Sequence, residues 1–482
     1  MKKIYFNIKF NSKIAIFLSA TLFFLYLLYL SIPSLYDTGR VQKVLYNKLG
    51  EEFGLNLSLS SNITYRILPQ PHFYIKDSKI FQDKTDVSNE IGEAKDLKIF
   101  ISQKNLFNKK NIKIKKIVIS KGNFFFNRQN INFVTDLFKK KFSKKKIIIK
   151  KSKLFFNDKN GTIMFIYSIN HFDYFKNDKK NKKQIETQGS LFKLPIQFTW
   201  EKDLNTQNTI SNFKADKVDI NFVNKGFFSK GKYNYENTLN IMSNIFKTKY
   251  EKFNNDIVLN SKKSLIKNTP INYTGNIELS PFSLQIFIDA KEIDINYFFK
   301  NTILFNEIIS SNILINDNIN GLIKIKSQNL NNSKFFNIAD INFNFQEGEI
   351  NLNNSFLIND KFGKLIIKDT IFEINDAIPV LRGELSLRIF DINQFYKFFP
   401  VSKKKRLKRK FNKINFNFTL NLISSKFSID RINFLGNKDK IVQSKDVDNF
   451  VEDNYEVRFD FSNNVLFKNF MKKVIIAYLD EG

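Results

Sequence analysis

Cysteine is absent from this 482-residue chain, so disulfides and thiolate metal sites are excluded. That absence suits a reducing or an oxidising compartment equally. Histidine is nearly absent, with only His72 and His171. A zinc site or a histidine-based triad would have to use one of them. Each sits beside phenylalanine in a strand-like stretch, where a packed or surface histidine is the expectation. There is no glycine-rich phosphate loop and no Gly-x-Ser-x-Gly elbow, and no pair of carboxylates is marked out by its spacing. The chain is therefore expected to carry no catalytic residue, no cofactor and no metal, and not to be an enzyme.

Only 8 prolines and 16 glycines stand against 43% hydrophobic residues, a composition that builds packed surface and not a disordered tail. The 55 phenylalanines and the abundant isoleucine favour pleated, half-buried surfaces. The formal net charge of +31 would, read alone, suggest nucleic acid or anionic lipid. The lysines are spread along the chain among Asn, Ile and Phe, all residues of A/T-rich codons. Diffuse lysine of this kind reads as compositional bias, and nucleic acid is not expected as a partner.

One long apolar run opens the chain. Residues 14–32, IAIFLSATLFFLYLLYLSI, carry no charge. As a helix at ~1.5 Å per residue they reach about 28 Å, close to a bilayer core. Tyr26 and Tyr29 lie near the far end, where amphipathic rings favour the interface. Lys2, Lys3, Lys9 and Lys13 precede the run, so residues 1–13 are expected in the cytoplasm and the bulk of the chain on the far, non-cytoplasmic side. A cleaved signal peptide would have a shorter apolar region ending in a small-x-small site. This run is longer and continues into Ile32-Pro33-Ser34-Leu35-Tyr36, which favours an uncleaved, single-pass anchor.

After the anchor, Val41, Val44, Leu45, Leu49 and Phe53 recur at helical spacing, and Gly54 ends that helix. The period then changes to two. Leu55, Leu57 and Leu59 alternate with polar residues, and the same pattern returns at Ile341 to Phe345, at Leu385 to Ile389 and at Tyr455 to Phe461. Its longest instance runs from Ile414 to Leu422. Clusters of Asn, Asp, Gly and Lys separate the runs, as between antiparallel strands with one apolar and one polar face. A weak repeat links Ile286 to Asn301 with Leu387 to Pro400: both pass from a strand through Asp-Ile-Asn into an aromatic helical stub. Lys176 to Lys183 reads as a loop. The basic cluster Ser402 to Lys410, densest from Lys403 to Lys410, reads as a solvated loop or a contact for anionic head groups. From Leu466 to Tyr478 the spacing is helical again, with lysines opposite the apolar positions. That amphipathic helix closes the end of the sheet or rests on a membrane.

The fold class expected is mainly β: an N-terminal transmembrane helix, then an elongated, curved antiparallel β-sheet, groove-like, with short helices and a C-terminal amphipathic helix. Roughly thirty strands at ~4.8 Å would make a sheet at most about 145 Å long. The apolar faces must be buried somewhere. Sheets packing on each other would do it, as would a long sheet whose inner face meets an apolar ligand. For a protein tied to a membrane, acyl chains are the natural ligand. Phe416, Phe418, Leu420 and Leu422 share one strand face and are the lipid-facing candidates.

The order of these segments resembles the AsmA family. The anchor and short helix lead into LGEEFGLNLSLSSNITYRILPQPHFYIKDSKI, Leu49 to Ile80, with the proline pair Pro69 and Pro71. IGEAKDLKIFISQKNLFNKKNIKIKKIVISKGNFFFNRQNINFVTDLF follows, Ile91 to Phe138, and then QGSLFKLPIQFTW, Gln188 to Trp200. Most family glycines and alanines are replaced by Asn, Lys and Phe. The resemblance implies a single-pass anchor in the inner (plasma) membrane, with the N-terminus cytoplasmic and the bulk of the chain periplasmic as a β-groove. It also implies a role in outer-membrane biogenesis, including protein targeting, and membrane phospholipids as partners. The alternative is a scaffold that holds or regulates outer-membrane or envelope assembly proteins without binding lipid. The expected organisation is cytoplasmic 1–13, transmembrane 14–32, an AsmA-like β-rich region 33–200, a continuing repetitive sheet 201–463 and the C-terminal helix 464–482.

Overall fold

The computed structural model describes residues 12–53, 56–58, 62–81, 90–104, 106–107, 112–127, 145–157, 161, 163–191, 193–241, 244–253, 255–279, 282–294, 320–331, 333, 335–375, 378–406, 410–421, 426–436, 441–442, 456–458 and 464–480. They fall into two compact units, Met1–Gln207 and Asn208–Gly482. Both are mainly β.

The first unit begins with the helix Ser12–Ser31, and residues 15–35 are long and apolar enough to cross a membrane. The hydroxyls of Ser19 and Thr21 donate to the carbonyls of Ile16 and Phe17, so neither is left bare in an apolar setting. Phe17 and Leu22 point outward, 73% and 65% exposed, a surface suited to lipid and not to water. A 3-10 turn, Ile32–Leu35, with Pro33 near its start, ends the run. Asp37 then caps the next helix, accepting from the Arg40 amide at 2.8 Å. That helix, Thr38–Phe53, buries Val41, Leu45, Leu49 and Phe53, which lie four apart on one face. They join one core with Phe73, Ile75, Leu97 and Ile99 of the first strands.

Those strands, His72–Phe81, Glu90–Ile101 and Ile114–Asn127, pair antiparallel. Ile114–Asn127 then pairs with Lys146–Asn157 in parallel. The antiparallel order resumes through Ile163–Asn177 and Lys182–Leu191 to Leu194–Asp203. The second unit repeats the design. It is antiparallel from Thr209–Ala215 to Phe282–Ala290, parallel from there to Asn320–Ser327, and antiparallel onward to Lys426–Leu435. The parallel steps refine the all-antiparallel expectation. Alternation along a strand fixes its faces but not the direction of its neighbour, and a parallel step needs a crossover of a dozen residues or more.

Several smaller expectations resolve as well. Lys176 and Lys183 are not in a loop but face each other in paired strands, with only a tight turn between. In the second copy of the repeat, Asp391 caps the helix Ile392–Phe398 by accepting from the amides of Asn393 and Gln394. In the first copy, residues 295–301 lie outside the described residues. So do Asn132 and Leu137, and most of the run from Tyr455 to Phe461, of which only Glu456–Arg458 is described as strand. The C-terminal helix runs Asn464–Asp480 and closes the end of its sheet.

Candidate functional site

Residues opposite each other in a ladder share a sheet face, so the register of the second unit can be followed strand by strand. Phe416 pairs with Leu385 and with Ile432, Phe418 with Gly383 and Ile429, and Leu420 with Leu381 and Phe427. The same face continues through Leu385 to Ile367 and through Leu387 to Leu365, then from Leu365 to Leu357 and from Leu357 to Ala339. Two residues along from Ala339, Ile341 pairs with Ile325, and Ile323 with Ile286. Beyond them Leu284 pairs with Ile277, Ile277 with Ile257 and Leu259 with Tyr250. Phe246 pairs with Leu239, Leu239 with Phe222 and Phe222 with Phe213. One face therefore extends across the ladder from Phe213 to Phe434, largely apolar but crossed by the polar row Ser211, Asn224, Asn237, Thr248 and Ser261. The opposite face is charged in part: Lys225, Glu236 and Lys249 stand in one row there, with Lys249 3.3 Å from Glu236, and exposed Ile210, Phe227, Val258 and Phe287 share that face.

The two ends of this face differ. At strands Lys413–Asn421 and Lys426–Leu435 it is covered. Met471, Val474, Ile475 and Tyr478 of the C-terminal helix pack on it, with Phe395 and Phe399 from the stub helix and its end. Tyr478 stacks on Phe434 at 3.9 Å between ring centres. Phe416 and Phe418 are 3% and 5% exposed. An apolar cavity remains between Phe362, Leu385, Phe416, Phe427 and Met471, of about 30 Å³. That is about one water's share of liquid volume and far too small for an acyl chain. The expected lipid-facing positions Phe416 and Phe418 thus sit in a sealed core, and Leu420 packs half-buried against it. Leu422 lies outside the described residues.

The basic cluster belongs to that seal. Lys403–Arg406 forms one helical turn, Lys405 meets the carboxylate of Asp480 at 2.6 Å, and the Arg406 guanidinium lies over the Tyr396 ring at 5.0 Å. Residues 407–409 lie outside the described residues.

At strands Thr209–Ala215 to Phe282–Ala290 no described helix packs on the face. Phe213, Phe222, Leu239, Phe246, Leu259 and Leu284 are all half-buried and none is sealed. Aromatic side chains line this stretch. Tyr235 lies flat between Tyr233 and Tyr250, with centres 5.7 and 4.8 Å apart, and its ring covers Gly226 across the ladder. A Cβ at Gly226 would come within 2.9 Å of that ring, so glycine permits the stack. Tyr250 donates to Asn224 Oδ1 at 2.9 Å, and burial pushes its hydroxyl pKa up to about 12. A small core of Ile266, Ile271, Tyr273, Ala290, Ile293, Leu330 and Ala339 shares this face, and Phe246 and Ile286 pack half-buried against it.

Sequence reasoning missed this open stripe because its alternation is interrupted by Asn, Thr and Gly and no run there is as long as Ile414 to Leu422. The usable signal was distance along the chain from any amphipathic helix able to cover it. The histidines are structural in form: buried His72 stacks on Phe100 at 4.9 Å with Nδ1 2.7 Å from the Gln70 carbonyl, and half-exposed His171 sits 3.6 Å from Asp173. Burial lowers the pKa of His72. Among the described residues no three His, Asp or Glu side chains gather as a metal site.

No curated protein matches the chain. The sequence profile of the AsmA family matches residues 9–160, a stretch that holds the apolar helix, the amphipathic helix and the first strands of the first unit, and over that stretch the chain is similar to the AsmA family.

Proposed function

We propose that this protein is an AsmA-type envelope-biogenesis protein that binds phospholipid along the uncovered apolar face of its second unit and passes it toward the outer membrane. The helix Ser12–Ser31 holds it in the inner membrane, with the N-terminus cytoplasmic and both β units periplasmic. The observation that carries this reading is the half-buried stripe from Phe213 to Leu284. A soluble monomer rarely leaves apolar side chains of several adjacent strands partly in water, because each forgoes part of the roughly 1.5–3 kcal/mol that full burial contributes. Acyl chains satisfy such a strip without asking for directional partners, and a protein inserted in a bilayer is surrounded by them.

The test is lipid carried through gentle extraction. Wild type is expected to retain phospholipid detectable by mass spectrometry, and Leu239→Glu with Leu259→Glu to lose most of it while keeping its strand content. Equal lipid in both would exclude the stripe as the binding surface. Cross-linked protein in place of lipid at these positions would favour the scaffold. Topology is checked separately: with no native cysteine, a single cysteine at exposed Ser229 is expected to react with an impermeant maleimide before the inner membrane is breached.

A further inference from the structure

The end of the anchor helix is wrapped by loops of the first unit. The Tyr26 hydroxyl donates to Gln103 Oε1 at 3.1 Å and that of Tyr29 to the Gln103 carbonyl at 2.8 Å. The Tyr36 hydroxyl donates to the carbonyl of Leu106. The Tyr65 hydroxyl reaches the Leu30 carbonyl at 2.7 Å. Phe107 packs on Tyr29, their ring centres 5.5 Å apart. Around these contacts Leu35, Leu68 and Phe107 are 81%, 78% and 73% exposed.

Helix length decides where the bilayer ends. From Lys13 to Tyr29 is about 24 Å of helix at ~1.5 Å per residue, and a hydrocarbon core is about 30 Å thick. A core that begins at Lys13 therefore extends past Tyr29 to about residue 33, and any tilt of the helix moves that boundary further along the chain. Groups fastened to Tyr29 and Leu30 lie at acyl depth, not in water. Polar backbone at that depth must find partners inside the protein. It does so here: three tyrosine hydroxyls of the anchor and its exit take the Gln103 side chain and the Gln103 and Leu106 carbonyls. The Ile101 amide donates to Pro71 at 3.1 Å and the Ser102 amide to Lys113 at 2.8 Å. Lys104, exposed, has a stem long enough to lift its charge to the phosphates.

We propose that Leu35, Leu68 and Phe107 form a collar sunk into the leaflet where the anchor helix emerges, so that the foot of the first sheet is a monotopic membrane insertion as well as a tethered domain. The proposal rests on the helix being a bilayer anchor. Its occupant is the acyl region of the same bilayer, continuous with the helix's own lipid-facing surface.

Single cysteines at positions 22, 68, 107 and 193 of this cysteine-free chain, each carrying an environment-sensitive fluorophore, test it in phosphatidylethanolamine and phosphatidylglycerol vesicles with nitroxide-labelled acyl chains. The fluorophores at 68 and 107 are expected to emit blue-shifted and to be quenched by a nitroxide near the head group. The one at 22 should be quenched best by a nitroxide near the chain end, and the one at Lys193, exposed six strands along the sheet, by neither. Quenching at 22 with 68 and 107 as unquenched as 193 would overturn the collar and leave the anchor standing. Absence of quenching at 22 as well would overturn the anchor reading and the collar with it.

Discussion

Two stretches of the second unit carry the same kind of face and treat it differently. Strands Lys413–Asn421 and Asn244–Phe253 both alternate apolar with polar residues and belong to one continuous register. Over the first lies the helix Asn464–Asp480, held at its end by Lys405 and Asp480, and its phenylalanines are sealed. Over the second lies no described helix, and Leu239, Phe246 and Leu259 stay half-buried. Alternation writes the face, and a separate amphipathic helix decides whether that face becomes core or surface. The second unit in this way carries a sealed end and an uncovered stretch on the same ladder.

The largest expected difference comes from a charge. Phe418→Glu puts an unpaired carboxylate into a sealed apolar core, at a cost of several kcal/mol or by forcing the carboxyl to stay protonated. Leu239→Glu keeps water access and is expected to leave the fold intact. Thermal unfolding followed by circular dichroism separates them; equal tolerance of both would mean the C-terminal helix does not seal its end.

Next is the loss of a ring. Phe434→Ala, beneath Tyr478, should cost about 3–5 kcal/mol because a cavity is left behind. Phe222→Ala on the open stripe should cost about 1 kcal/mol, since only part of the ring is removed from water. Denaturant unfolding of the two variants measures the gap, and similar costs would erase the distinction between core and stripe.

A smaller effect follows alkaline pH. The Tyr250 hydroxyl ionises near 10 in the unfolded chain and near 12 in the folded one, so the folded state holds its proton more tightly. The stability this contributes is present below pH 10 and is lost as pH rises from about 10 to about 12. Tyr250→Phe should flatten part of that decline relative to wild type. An unchanged profile would place Tyr250 in contact with bulk water. Smallest of all, Lys405→Ala removes an ion pair whose partners are both more than a third exposed, and should cost about 0–1 kcal/mol.

Much of the fold was legible because its signals are periodic. The apolar run from Ile14 to Ile32 differs from the observed helix Ser12–Ser31 by a residue or two at each end, and Val41, Leu45, Leu49 and Phe53 gave the covered face of the second helix. The strand Lys413–Asn421 was visible for the same reason. The fate of its face was not, because Met471 and Tyr478 lie more than fifty residues away and nothing local records that they fold back. The parallel pairing of Ile117 with Ile147 was equally hidden, since both strands read the same in either direction. The uncovered stripe was overlooked because Gly226 and Asn237 interrupt its pattern, although Gly226 is what lets Tyr235 lie flat.

The central claim is that the uncovered stripe meets lipid and the sealed end does not. Photo-crosslinking amino acids placed singly at Phe246, Lys247 and Phe418 test it in living cells. Phe246 and Lys247 are neighbours on opposite faces of one strand, and Phe418 shares the face of Phe246 beneath the C-terminal helix. The account predicts phospholipid adducts at 246 and none at 247 or 418. Adducts equally frequent at 246 and 247, or confined to 418, would contradict it.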